Sequence, residues 1–238
     1  MYLAIDTTTK YAGVALWADG SMLRSATWQS THSHTAELMP AVQELLSGAG
    51  VAVSTLEGVI VATGPGGFST LRAGLSVAKG LAFSLSLPVV GVSTLEASAY
   101  PYRKASRIIC PILESGRSLV AWARFQSKQG VLHRFTLDRI TEPPALMALT
   151  GRHILFCGEG APAYRDQLEE SLGHRAHFVE SDEPSSRLPG LVEVGAARLV
   201  AGQSDPLAGL QPHYLRAPTT STPRPPRLVK YGGIAKSR

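Results

Sequence analysis

The sequence predicts a duplicated α/β fold, in which the order βββαβαβα occurs twice and leaves a cleft between two lobes. Three observations carry this reading. Short β-type apolar runs closed by turn residues open each half. Stretches with apolar residues on one helical face follow them. A glycine-containing loop then joins a buried strand to a helix in both halves. The expected division is a first lobe over residues 1–103, a second and more degenerate lobe over 104–215, and a tail over 216–238.

In the first half, residues 3–6, 12–16 and 24–29 read as strands separated by Thr/Lys and Asp19-Gly20 turn signals, which makes an antiparallel meander. After Ser33, the residues Leu38, Val42, Leu45, Leu46 and Ala49 recur on one face of a helix that stops at Gly48-Ala49-Gly50. Residues 58–62 form a buried strand running into Gly64-Pro65-Gly66-Gly67. A helix over 69–85, a strand over 89–92 and a helix opened by the capping box Ser93-Thr94-Leu95-Glu96 complete the lobe.

The second half reads as strands over 108–113, 119–126 and 131–137, the middle one alternating Val120, Trp122 and Arg124 against Ala121, Ala123 and Phe125. A short helix follows Pro143-Pro144. Then come a strand over 153–157, the loop Gly158-Glu159-Gly160, a helix near 163–172, a brief strand over 177–179 and a helix over 191–200. The tail is proline-spaced, with Pro218, Pro223, Pro225 and Pro226, and basic.

Composition narrows the function. At 238 residues, 44% hydrophobic and 17% charged, the chain can bury a core and is too poorly charged for a disordered polymer. The net charge of +5 misleads, because the tail holds six Lys and Arg and no acid. Residues 1–215 carry 17 basic against 18 acidic side chains, or −1, which argues against a stand-alone nucleic-acid-binding body. Cys110 and Cys157, each among apolar neighbours, read as reduced core thiols. Asp6 interrupts the first apolar run, so a signal peptide is not expected. The apolar stretch over 73–92 carries Lys79, serines and Pro88, so no membrane span is expected either. The expected location is the cytoplasm.

Two segments bear chemistry. Ile5-Asp6-Thr7-Thr8-Thr9 puts a carboxylate at a strand end before a turn whose amides and hydroxyls can face a phosphate, with Asp6 facing hydrated Mg²⁺. An Asp before a Thr-rich turn also serves merely to bond its own backbone. The loop Thr63-Gly64-Pro65-Gly66-Gly67-Phe68-Ser69-Thr70 permits close backbone approach at a helix N-terminus, although it lacks the Lys of a P-loop. Its plainer role is a tight turn. His32 and His34, two apart and without a carboxylate or Cys nearby, read as a polar turn rather than a metal site. No nucleophile-elbow spacing surrounds any serine.

In a duplicated βββαβαβα chain, these segments resemble the actin-like ATPase superfamily, whose fold is ribonuclease H-like. More narrowly, the chain resembles the TsaB (YeaZ) family, subunits of the bacterial machinery that makes threonylcarbamoyladenosine in tRNA. The matching residues are Leu3-Ala4-Ile5-Asp6-Thr7-Thr8, Gly13-Val14-Ala15-Leu16, His34 with Pro40, Gly64-Pro65-Gly66-Gly67-Phe68-Ser69-Thr70-Leu71-Arg72, Gly91-Val92-Ser93-Thr94-Leu95-Glu96 and Pro212-His213-Tyr214-Leu215-Arg216. They are dense over the first hundred residues and sparse afterwards.

The catalytic paralogue of that machinery, the TsaD family, carries a metal-binding His-x-x-x-His where this chain has Thr94 and Ser98. Neither hydroxyl replaces imidazole, so no metal site and no catalytic residue are expected. The paralogue's second-lobe nucleotide loops correspond to Gly158-Glu159-Gly160 and Glu193-Val194-Gly195, the latter lacking its Asp. The resemblance implies a non-catalytic scaffold that pairs with a TsaD-like paralogue and a TsaE-like ATPase, meets tRNA through the complex, and forms a homodimer when the paralogue is absent. No cofactor is required. Weak ATP or ADP and Mg²⁺ binding is expected at a vestigial site of Asp6, Thr7, Thr8, Gly64, Gly66 and Gly67. The partner surface is expected on two helices, at Leu38, Val42 and Leu45, and at Leu71, Gly74, Leu75, Ala78 and Leu81. The alternative is an active ATP-dependent phosphotransferase or hydrolase, which would need phosphate loops from both lobes and metal-holding carboxylates.

Overall fold

The computed structural model describes residues 1–31, 33–116, 118–149, 153–180 and 187–215, so His32 and the tail lie outside the described residues. Strands β1 (Tyr2–Asp6), β2 (Tyr11–Ala18) and β3 (Ser21–Gln29) form the expected meander. Strands β4 (Gly58–Gly64) and β5 (Val89–Ser93) join it in parallel, giving the order β3-β2-β1-β4-β5. Helix α1 (His34–Gly48) precedes β4, α2 (Phe68–Ser84) links β4 to β5, and α3 (Thr94–Ala99) follows β5. Ser93 caps α3, its hydroxyl accepting from the Glu96 amide as the capping box predicts.

The second sheet contains β6 (Ile108–Glu114), β7 (Val120–Trp122), β8 (Phe125–Lys128), β9 (Val131–Arg134), β10 (Arg139–Thr141), β11 (Ile154–Cys157) and β12 (Ala176–Phe178), with β11 and β12 parallel to β6. Helices α4 (Pro144–Met147) and α5 (Arg165–Leu172) accompany it, and α6 (Arg187–Val200) is the last helix among the described residues. The single strand expected over 119–126 is split into β7 and β8, and Pro111 is the reason. Both pieces keep one register against β6, which sets Ala123 opposite Pro111, and a proline has no N–H to give the ladder. On the strand's opposite edge, Arg124 N–H donates to Thr136 Oγ1 at 2.9 Å and its carbonyl accepts from both Phe135 and Thr136, so the regular pairing with β9 ends here. The strand expected over 131–137 therefore stops at Arg134.

Helices α1 and α2 cover one face of the first sheet, where Leu38, Val42, Leu45, Leu75 and Ala78 pack on Leu3, Ile5, Val14 and Val61. The other face is covered by α6, through Leu188, Leu191, Val192 and Ala196 against Ala4, Ala15, Ile60 and Val90. Packing thus crosses the 103/104 division. Helix α6, placed in the second lobe by the sequence, closes the first sheet, and α3 reciprocally sets Leu95 and Ala99 against Ile109, Leu113 and Phe125 of the second. A sheet with two apolar faces needs a layer on each, and the two halves exchange helices to supply it. Both thiols are buried on adjacent strands, and burial pushes Cys110 up to about 12. Among the described residues, no helix is long and apolar enough to cross a membrane.

Candidate functional site

The β1–β2 turn is held from three sides. Asp6 Oδ1 accepts from the Thr8 amide at 2.9 Å and the Thr8 hydroxyl at 2.8 Å, the local bonding that an Asp before a Thr-rich turn favours. Its other oxygen accepts from Nε of Arg187, the first residue of α6. The same guanidinium donates to Glu159 at 3.0 Å, Thr9 Oγ1 at 2.9 Å and the Tyr11 carbonyl at 2.7 Å. Thr9 Oγ1 also lies 3.0 Å from Glu159 Oε2, so the loop after β11 is tied to the turn. Arg187 is only 3% exposed. Burial alone would depress its pKa, yet the charges of Asp6 and Glu159 and their hydrogen bonds more than offset this and hold it above the ordinary arginine value. His34 completes the cradle, one ring nitrogen lying 2.8 Å from the Thr9 carbonyl, which makes it a turn support.

The glycine loop packs on this turn. The Gly67 amide donates to the Thr8 carbonyl at 2.8 Å, and a Cβ on Gly66 would lie 2.3 Å from that oxygen. Thr7 Oγ1 donates to the Thr70 carbonyl at 2.7 Å and accepts from the Gly74 amide at 3.1 Å. From the C-terminal side, His213 N–H donates to the Thr63 carbonyl at 2.7 Å, while Tyr214 stacks on Phe68 and accepts from Arg72. Asp6, Thr7, Thr8, Gly64, Gly66 and Gly67 are therefore brought together as expected. What the arrangement does differs. The carboxylate that would hold Mg²⁺ already faces a buried guanidinium, and the Gly67 amide already has a carbonyl. These donors and acceptors do not fit a Mg²⁺-nucleotide, and the plainer packing role of the glycine loop is the one the geometry carries.

Thr94 and Ser98 are buried at the α3–second sheet contact. Ser98 Oγ donates to the Thr94 carbonyl at 2.8 Å, and Cys157 Sγ approaches the Ser98 carbonyl at 3.6 Å. Glu193-Val194-Gly195 is helical, as the helix expected over 191–200 has it, although it corresponds to a nucleotide loop of the paralogue. It lies inside α6, where Glu193 pairs with Arg103 at 3.0 Å.

The partner surface also needs correction. Leu38, Val42, Leu45, Leu71, Gly74, Leu75 and Ala78 are buried in the chain's own core, and Leu81 is half-buried. A helix lying on a sheet turns its most apolar stripe inward, so the pattern that marked these residues marked core. The outward face of α2 presents Ser69, Arg72, Ser76, Gly80 and Phe83, the last 77% exposed, and α1 adds Met39 at 44%.

Arg187 escaped the sequence reading because Pro189-Gly190 moved the expected helix start to residue 191. Proline is compatible with a first turn, and an arginine just before Leu188-Pro189 at the head of the apolar helix was the available signal.

A family model described as TsaD, tRNA N6-adenosine threonylcarbamoyltransferase, matches residues 28–222. The chain is 30% identical, over 90% of its length and 93% of the relative's, to the tRNA threonylcarbamoyladenosine biosynthesis protein TsaB of Bacillus subtilis. Among solved structures it is similar to YeaZ from Pseudomonas aeruginosa, with TM-score 0.73 and 28% identity over 90% of this chain and 99% of that one. It also matches the (R)-2-hydroxyglutaryl-CoA dehydratase component A of Acidaminococcus fermentans, with TM-score 0.51 and 11% identity over 83% of this chain and 98% of that one, a likeness of fold alone.

Proposed function

The chain belongs to the TsaB family of tRNA threonylcarbamoyladenosine biosynthesis proteins, and from that premise we propose that it is a non-catalytic subunit in the synthesis of N6-threonylcarbamoyladenosine on tRNA. It pairs with a TsaD-like catalytic paralogue, works with a TsaE-like ATPase, meets tRNA through the complex and acts in the cytoplasm. Without the paralogue it self-associates through the same surface. The observation that carries this reading is the capture of Asp6 by Arg187. An acting phosphotransferase or hydrolase of this fold needs that carboxylate for a metal ion, and here it is spent on an internal ion pair. Any affinity for ATP or ADP with Mg²⁺ is accordingly weak, and none is required.

The family model carries a transferase's name, so catalysis by this chain is the reading to weigh against it. The burial of Thr94 and Ser98 supports the scaffold role, since both positions are packed into core and offer hydroxyl oxygens in place of imidazoles. The partner surface is then the outer face of α1 and α2, where Met39 and Phe83 stand exposed beside Ser76 and Gly80, small residues that let another helix approach.

Reconstitution tests the proposal. Threonylcarbamoyladenosine is measured on tRNA incubated with the paralogue and the ATPase, with and without this chain. Product should require the chain, while the chain alone should show negligible ATP turnover. Turnover near the enzyme median of roughly 10 per second, abolished by Asp6→Asn, would sink the reading.

A further inference from the structure

The parallel strands β6, β11 and β12 all start at one edge of the second sheet, and that edge is lined by bases. Arg107 precedes β6, His153 precedes β11, and His177 lies in β12 with His174 shortly before it. The Ile108 amide donates to the His153 carbonyl at 3.1 Å, which holds Arg107 and His153 side by side. His153 Nδ1 lies 2.9 Å from His177 Nε2, and the His174 ring is centred 5.6 Å from that of His153. A pocket of about 410 Å³ opens here, lined by Ser106, Arg107, Ile108, Gln126 and His153. Among the described residues its polar groups are a hydroxyl, a guanidinium, an amide and an imidazole, with no carboxylate. Arg107 has no ion-pair partner among the described residues.

We propose that this pocket binds one phosphate group. The choice of a tRNA backbone diester as its source rests on the function proposed above, whereas the pocket rests on its own geometry. A guanidinium beside imidazole and hydroxyl donors is the donor set that phosphate oxygens accept from. A cation fits poorly: Arg107 repels it, and among the described residues no three metal-ligating side chains converge on one point. The pocket is coupled to protons. Burial first, and then the positive charges of Arg107, His153 and His174, hold the His177 imidazole below its ordinary value. Among the described residues, His133, paired with Gln126 across β8 and β9, adds a further basic group, and the charges acting on His177 are all positive. A bound phosphate opposes these positive charges and favours the protonated form of His177, so affinity should fall as pH rises from the depressed value of the free site toward the higher value of the bound one.

Imidazole resonances of the full chain, followed during titration with inorganic phosphate, give the first arm of the test. Filter binding of an unmodified tRNA transcript at pH 6 and pH 8 over a salt series gives the second, and a diester has the advantage of constant charge across that range. Phosphate should shift the resonances of His153, His174 and His177 and raise their midpoints. Arg107→Gln should weaken tRNA binding at pH 6 by roughly threefold to tenfold and lower the salt slope by about 1, with Arg107→Lys restoring most of both. Shifts with inorganic phosphate but tRNA binding indifferent to Arg107→Gln and His153→Gln would keep the phosphate site and assign it a free phosphate. Resonances unmoved by phosphate, or moved by Zn²⁺ alone, would overturn the proposal. If the chain proves dispensable for tRNA modification while phosphate still moves the imidazoles, the function proposed above fails and the pocket stands.

Discussion

Arg187, at the start of α6, and Arg107, just before β6, both stand at the beginning of an element, and they do opposite things. Arg187 is sealed between the β1–β2 turn and the loop after β11, with two carboxylates, a hydroxyl and a carbonyl around it. Arg107 is exposed among imidazoles, with no carboxylate lining its pocket among the described residues. The same side chain is thus a structural bolt in one place and an available charge in the other. What separates them is whether the fold brings acids to the guanidinium. At the β1–β2 turn the Asp6 carboxylate is committed to an internal ion pair, which is the observation behind the scaffold role proposed above.

The largest effect should come from removing the bolt. Arg187→Ala leaves Asp6 and Glu159 buried without their partner and should cost about 3–5 kcal/mol in denaturant titration, whereas Arg107→Gln should fall within about 0.5 kcal/mol of the parent, as exposed substitutions do. Equal losses would break the contrast.

Helix α2 sharpens it next. Gly74→Leu drives a side chain into Thr7 Oγ1, which lies 2.4 Å from the position of a Cβ there. The expected loss is about 1–3 kcal/mol of stability. A folded Gly74→Leu protein of parental stability would mean that the α2–turn contact is looser than drawn.

Cys110 offers a pH test of the second sheet's dry interior. Its thiol is held up to about 12 by burial, against ~8.5 when unfolded. Above that unfolded value the native state binds more protons than the unfolded one, so stability is fully present below pH ~8.5 and falls by about 1.4 kcal/mol per pH unit from there toward 12. The difference in slope between the parent and Cys110→Ala isolates this group. Identical slopes would show that the thiol is not desolvated.

The smallest effect on stability should come from the outward face of α2. Ser76→Arg should leave unfolding within about 0.5 kcal/mol of the parent while disrupting co-elution with the paralogue. Retained co-elution would move the partner surface off this helix.

Much of the molecule was legible from local pattern. The meander, the helix-period stripe of α1, the capping box of α3 and the strand-to-helix glycine loop all stand close to where periodicity and turn chemistry put them, because each depends on neighbours within a few residues. The break between β7 and β8 was legible in principle, since Pro111 lacks an N–H, but which residue faces it depends on a register that only pairing sets. The apolar stripes of α1 and α2 were correctly seen and wrongly directed. A hydrophobic face records that something covers it, and the sheet is the nearer cover.

The sequence by itself determined most of the elements, though not β10, the β7–β8 break or the first turn of α6, and it determined the gathering of Asp6 with the glycine loop and, through its motifs, the family. Only the tertiary structure decided what those residues do there. Asp6 and Arg187 are separated by 181 positions, and no local rule links them. They meet because α6 crosses to the first sheet to cover its second apolar face, and in crossing carries a guanidinium onto the carboxylate at the end of β1.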